Sequence, residues 1–168
     1  MVAMVLNSMG GVLQRLNKLD EAADALRRSY EIMIELRDER GQAMTLNTLG
    51  GVLQRQGKLG EAFDTFRASI AIGEKIGDRR HLAMAHTAFG QALLKTDRQA
   101  AVLELREGFE LDAALRNKKG IGMVAPVLIE TLLKLGRVAE ASEVCERALA
   151  IAPGDRRLLR GKSDLERK

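Results

Sequence analysis

No tryptophan occurs in these 168 residues, tyrosine occurs once, phenylalanine four times and proline twice. Such poverty in aromatic side chains, beside many Ala, Leu, Glu and Arg, favours helices over sheets. Long apolar runs are also missing. None approaches the roughly 20 residues that a membrane-crossing helix needs, so no membrane span is expected. The single cysteine cannot form an internal disulfide and fits a reducing, cytoplasmic setting. Charge of one sign does not dominate either. With 27 basic and 23 acidic side chains the net charge is +4, a mixed surface and not a nucleic-acid footprint. The aromatic platforms on which single-stranded nucleic acid stacks are nearly absent, so nucleic acid is not an expected partner. Residues Met1 to Leu6 lack the basic flank of a signal peptide.

What the chain does have is repetition. The stretch Leu6-Asn7-Ser8-Met9-Gly10-Gly11-Val12-Leu13-Gln14-Arg15 returns as Leu46-Asn47-Thr48-Leu49-Gly50-Gly51-Val52-Leu53-Gln54-Arg55, an offset of 46 − 6 = 40. A period of that length points to stacked two-helix units. About four are expected, near 2–40, 41–80, 81–119 and 120–154, followed by a capping helix near 155–167, the whole 1–168 forming a single domain. In the first helix of each unit an apolar stripe recurs at helical spacing. It reads Leu6, Met9, Gly10, Leu13, then Leu46, Leu49, Gly50, Leu53, then Phe89, Gly90, Leu93, and last Leu128, Ile129, Leu132.

The turns inside the units fall at Asn17, Gly57, Asp97 and Gly136, with Asn and Gly suited to the left-handed backbone past a helix end. The third turn is one residue shorter, because Asp97 to Ala101 is four residues where Gly57 to Ala62 is five. Asp38 is expected to cap the helix that follows it. A glycine inside a helix costs roughly 0.5–1 kcal/mol relative to alanine. Gly10, Gly50 and Gly90 therefore imply close approach of the second helix, with Ala22, Ala62 and Ala101 as the small residues expected to face them. One hairpin leaves an apolar face open, so neighbouring units must cover each other.

Leu46, Leu49, Gly50, Leu53, Ala62 and Phe66, with Ala141 and Pro153 in a closing half, resemble the skeleton of the tetratricopeptide repeat. The first aromatic place of that skeleton is filled by Leu6, Leu46, His86 and Ala125, a departure from the pattern. The long period is similar to the extended repeats of kinesin light chain, spindle-orienting adaptors and bacterial signalling proteins. This resemblance implies an all-α fold, a right-handed α-solenoid of antiparallel helix pairs. It also implies a protein-protein interaction module that holds a partner peptide or helix in its concave groove. The residues it assigns to the groove are Asn7, Gln14 and Arg15; Met44, Asn47, Gly51, Gln54 and Arg55; Thr87, Gln91 and Lys95; and Glu130 and Lys134. An Asn amide there can both donate to and accept from a peptide backbone. The series Arg15, Arg55, Lys95 and Lys134 suits an acidic partner, and equally suits the negative end of each helix dipole. Gly51, like Gly11, reads either as room for a ligand backbone or as drift between duplicated units. Met4, Met44, Met84 and Met123 read as core filler or as an adaptable groove floor.

No catalytic constellation is visible, and neither enzymatic activity nor a cofactor is expected. His81 and His86 lie five apart, which does not stack two metal ligands on one helix face. Cys145 occupies a core place of the repeat. Gly120-Ile121-Gly122 has no strand before it and reads as a helix start. A second reading makes the chain a regulatory segment of a larger bacterial signalling protein, packed on its own effector domain or self-associating. Met1, Val2, Val5, Met9 and Val12 make the first helix apolar with no cap ahead of it, so two copies pairing there as a homodimer would cover both ends.

Overall fold

Short polar side chains start most of the helices. In the computed structural model, which describes residues 1–165, Asp38 accepts from the Gly41 amide at 2.9 Å and Asp78 from His81 at 3.0 Å. Asp97 accepts from Ala100 at 3.0 Å and Asn117 from Gly120 at 3.2 Å. Each bond satisfies an amide that a helix start leaves without a partner. Elsewhere acidic first-turn residues, Asp20 and Glu21 or Glu61, meet the positive end of the helix dipole.

The helices so begun are α1 (Val2–Arg15), α2 (Leu19–Glu35), α3 (Glu39–Arg55), α4 (Leu59–Ile76), α5 (Arg79–Leu93), α6 (Arg98–Ala114), α7 (Lys118–Lys134), α8 (Val138–Ile151) and α9 (Arg156–Leu165). Every described element is thus helical, as the repeat pattern predicts. None of these helices is long and apolar enough to cross a membrane. The chain divides into two compact units, Met1–Ala88 and Phe89–Lys168, with the boundary inside α5. The helix expected near 155–167 is α9, and residues 166 and 167 lie outside the described part.

Asn17, Gly57 and Gly136 take left-handed backbone at φ 61°, 79° and 73°, as their types predict. Asp97 does not. It lies at φ −146° and caps α6, because the shortened turn Leu94-Lys95-Thr96 returns directly, with the Asp97 amide bonded to Leu93 O at 2.8 Å. The connections from one hairpin to the next use the left-handed region at Arg37 (φ 54°), Gly77 (φ 68°) and Arg116 (φ 48°). A side chain in that conformation costs about 1–2 kcal/mol, and Gly77 is the repeat's own solution. Arg37→Gly and Arg116→Gly are each expected to raise stability in urea unfolding by about 0.5–1 kcal/mol, after the added freedom of the unfolded chain is subtracted. Loss of stability in both variants would contradict this.

In the unit Met1–Ala88 the glycines do permit close packing, but not against the alanines. A Cβ on Gly10 would sit 2.5 Å from Leu26 Cγ, and one on Gly50 would sit 2.9 Å from Phe66 Cδ1. In the second unit a Cβ on Gly90 would sit 2.7 Å from Leu105 Cγ. Ala22, Ala62 and Ala101 are buried one helical turn earlier. Helical side chains lean toward their own N-terminus, so the large residue one turn further on fills the space that each glycine leaves.

Two buried serines, 69 − 29 = 40 residues apart, repeat one further bond: Ser29 donates to Ala3 O at 2.7 Å and Ser69 to Ala43 O at 2.8 Å. The core of Phe89–Lys168 gathers Leu105, Phe109, Ile121, Val124, Leu128, Leu132, Val144, Cys145 and, from α9, Leu158. Cys145 is buried there as a small core residue, its thiol 3.7 Å from Leu158 O.

Candidate interaction surface

Within Met1–Ala88, the helices α1 and α3 and the part of α5 that belongs to this unit carry Asn7, Asn47 and Thr87 at one register, forty residues apart. Asn7 Oδ1, Asn47 Oδ1 and Thr87 Oγ1 are all shielded from solvent and have no hydrogen-bond partner. An acceptor in that state costs roughly 1–3 kcal/mol. The same defect at three equivalent places is a property of the repeat register. The residue types are legible in the sequence; their lack of a partner is not. Beside Asn7 and Met44 a cleft of about 450 Å³ is lined by Met4, Met33, Asp38, Arg40 and Gly41 as well. Arg40 is held at its rim by Asp78 at 3.0 Å.

Other assigned residues of this unit have structural partners. The Arg55 guanidinium donates to Gln14 O and, at 3.0 Å, to Asn17 Oδ1. Gln56 reaches Asp20 at 2.7 Å, so the end of α3 is fastened to the turn between α1 and α2. Gly51 leaves room for Gln14, whose Nε2 would lie 3.2 Å from a Cβ there, whereas Gly11 faces open space. Arg15 is exposed, and Gln54 is half-buried.

In Phe89–Lys168 the register is less regular. Gln91 is exposed on α5, but Lys95 lies in the turn after that helix, which ends at Leu93 because of the missing residue. Glu130 and Lys134, both exposed, pair with each other at 2.6 Å along α7. The place of Asn7 and Asn47 is taken by Pro126, inside α7, which has no side-chain acceptor. The four basic residues expected to share a role therefore differ: Arg15 is exposed at the end of α1, Arg55 clasps a turn, Lys134 pairs on its own helix, and Lys95 leaves its helix altogether.

Few titratable groups are perturbed. Burial pushes the Asp112 carboxyl up, partly offset by the Asn117 amide, which donates to it at 2.7 Å. Arg147 grips Glu110 through two bonds of 2.8 and 2.6 Å, holds that carboxyl below its ordinary range, and lies 5.1 Å over the Phe109 ring. Burial lowers the pKa of His81, whose Nε2 is 2.9 Å from Ser69 Oγ. Among the described residues no three His, Cys, Asp or Glu side chains are placed to hold a metal ion together.

A tetratricopeptide repeat family model matches residues 1–72 and again 41–114, and a second model of that description matches 130–155. No curated protein matches the chain. Among solved structures, the nearly identical TPR-like repeats assigned to a Podosopora anserina kinesin light chain superpose with a TM-score of 0.78 at 20% identity, over 98% of this chain and 83% of that one. The apo form of RapI gives 0.75 at 15% identity, over 89% and 55%. BtubC (BKLC) from P. vanneervenii gives 0.66 at 16%, over 98% and 64%. At these identities the likeness is one of fold, and the chain spans only about half the length of RapI.

Proposed function

The chain belongs to the tetratricopeptide repeat family, and from that premise we propose that it is a protein-interaction module which holds an extended peptide or helix of a partner against the α1–α3–α5 face of its first unit. The observation that carries the reading is the file of acceptors at Asn7, Asn47 and Thr87, each shielded from solvent and lacking a donor. A peptide supplies donors in series through its backbone N–H groups, and a turn of the half-buried Asn7 and Asn47 amides toward the surface would let their oxygens accept them and relieve a cost already present in the unbound fold. The methionine-lined cleft beside Asn7 suits an apolar side chain of that peptide, because thioether side chains adapt their shape. Exposed Arg15 and the net charge of +4 favour an acidic sequence. Arg55 supports the surface from behind by fixing the end of α3.

The match over only 55% of RapI supports a second reading, in which these repeats form a regulatory segment of a longer protein and the same face receives another part of it. The buried thiol of Cys145 suits a reducing cytoplasm under either reading.

The test uses a peptide selected from a random displayed library on the wild-type chain, with its affinity measured by calorimetry. Asn7→Ala combined with Asn47→Ala is expected to weaken that peptide about 10-fold or more, at roughly 1 kcal/mol per lost bond. The circular dichroism spectrum stays unchanged. Equal affinity for the double variant and the wild type would reject the surface.

A further inference from the structure

Across the first helices α1, α3, α5 and α7 the register keeps the same residue at two places only. One is a leucine, at Leu13, Leu53, Leu93 and Leu132; the other is a methionine, at Met4, Met44, Met84 and Met123. The leucine is a core residue. Leu53, Leu93 and Leu132 are buried, and exchange of a large side chain there leaves a cavity. The methionine has no such reason to persist. Met44, Met84 and Met123 are 42%, 53% and 49% exposed, and each is the one large apolar side chain that its helix exposes. Neighbouring places drift from unit to unit, Asn47 to Thr87 to Pro126 and Gly51 to Gln91 to Glu130. Packing within the fold does not account for a thioether that stays.

In the first unit this methionine lies three residues before the acceptor of its own helix, Met44 before Asn47 and Met84 before Thr87, so the two share a helix face. Met44 also borders the cleft beside Asn7, together with Met4 and Met33. A peptide bonded along that face would cover the thioethers and gain apolar contact from each. A thioether differs from other aliphatic side chains in one respect: a two-electron oxidant makes it polar. With hydrogen peroxide the sulfur lone pair attacks one oxygen, so that an S–O bond forms as the O–O bond breaks. The departing hydroxide takes the proton of the transferred oxygen and leaves as water. Sulfur is oxidised by two electrons and the peroxide is reduced. The sulfoxide brings another acceptor to a face where three already lack donors, and it removes the apolar contact. A thiol-dependent methionine sulfoxide reductase reverses the step, releasing the oxygen as water while two thiols become a disulfide. Met33, 4% exposed, is protected by burial, and so is the thiol of Cys145.

We propose that Met44 and Met84, with Met4 beside Met44 in the cleft, are sites of reversible oxidation by hydrogen peroxide, and that their conversion to sulfoxides releases the partner peptide. The inference rests on the peptide face of the first unit proposed above. The full chain is treated with hydrogen peroxide, the peroxide is removed, and part of the sample is cleaved after Lys and Arg for mass spectrometry. Met33, Met44, Met84 and Met123 fall in different fragments, so each sulfur is read separately. Sulfoxide is expected at Met44 and Met84 well before Met33. The oxidised chain is expected to bind the library-selected peptide about 10-fold or more weakly, with unchanged helicity, and to recover after treatment with the reductase and a dithiol. The combined variant Met4→Leu, Met44→Leu and Met84→Leu is expected to show one affinity, the same before and after peroxide, although Met1, Met9 and Met123 still oxidise. An oxidised wild type that binds as tightly as the reduced one, one that loses its helicity, or a triple variant as sensitive as the wild type would overturn the proposal. The chain carrying Asn7→Ala and Asn47→Ala separates the switch from the face. Full affinity there rejects both, whereas weakened binding there with no effect of peroxide on the wild type rejects the switch alone.

Discussion

Gly50→Ala destabilises the first unit of the wild-type chain by about 1–3 kcal/mol, yet in a Phe66→Ala background the same substitution becomes neutral or stabilising by up to about 1 kcal/mol. Two opposed effects set the sign. Alanine is the better helix residue, so the exchange is favourable wherever space permits. Space does not permit it beside Phe66, whose ring atoms Cδ1, Cε1 and Cζ would lie 2.9, 2.9 and 3.0 Å from the new Cβ. Phe66 is fully buried, and its ring cannot withdraw without opening a void elsewhere. Phe66→Ala alone is expected to cost about 3–5 kcal/mol, the largest single-residue loss in this unit. With the ring gone the extra methyl group fills part of the cavity, and the propensity term decides. Urea unfolding of the four chains in a double-mutant cycle measures the coupling, and strict additivity would show that the glycine does not serve the ring.

Gly90 sharpens the point. A Cβ there would meet not only the Leu105 side chain but also its backbone nitrogen, at 3.0 Å. Truncating Leu105 should therefore leave Gly90→Ala destabilising. If Gly90 were rescued as fully as Gly50, backbone approach would not be what holds a glycine at that place.

These contrasts mark how much of the molecule is legible in its sequence. The forty-residue period, the helix cap at Asp38 and the turn residues Asn17, Gly57 and Gly136 are local chemistry, and local chemistry survives without coordinates. The glycines signal close packing, but which partner fills the space depends on how side chains lean, so Leu26, Phe66 and Leu105 are not evident from alignment of the repeats. Arg37 and Arg116 carry no signal for left-handed backbone at all; Gly77 at the matching place is the one hint. The missing residue near Asp97 is visible as a count, but its consequence, that Lys95 leaves the helix, requires knowing where α5 ends. Arg55 is the clearest loss. Its bonds run to residues 38 and 41 positions earlier, a separation at which a periodic pattern looks the same for a ligand contact and a clasp between hairpins. Asn7 and Asn47 stand out by type, while their orphaned oxygens exist only in three dimensions.

Acid should loosen the first unit through His81. The Ser69 hydroxyl gives its proton to Ala43 O at 2.8 Å, so at the 2.9 Å contact the imidazole must be the donor and Nε2 carries the hydrogen. Nδ1 is then the bare nitrogen, shielded and without a partner. A second proton would have to enter there, with no acceptor to receive it. Burial lowers the His81 pKa first of all; the bond to Ser69 and the charge of Asp78 oppose the shift, and Arg40 adds to it. Below about pH 6.5 the folded chain therefore binds fewer protons at this site than the unfolded chain does. The stability this site contributes is complete above that pH and is lost as pH falls toward the depressed folded value, at a limiting slope of about 1.4 kcal/mol per pH unit. His81→Gln, whose amide can still donate to Ser69, is expected to flatten that slope in urea midpoints measured from pH 8 to 5. Ser69→Ala strands the His81 donor and removes the second bond to the Ala43 carbonyl, a loss of about 2–4 kcal/mol near neutrality. Ser29→Ala, whose second contact is the looser 3.5 Å approach of Thr45, is expected to cost about half as much, on the order of 1–2 kcal/mol. Equal losses at the two serines, or the same acid slope with and without the imidazole, would mean that the Ser69–His81 bond contributes nothing beyond the repeat's ordinary serine.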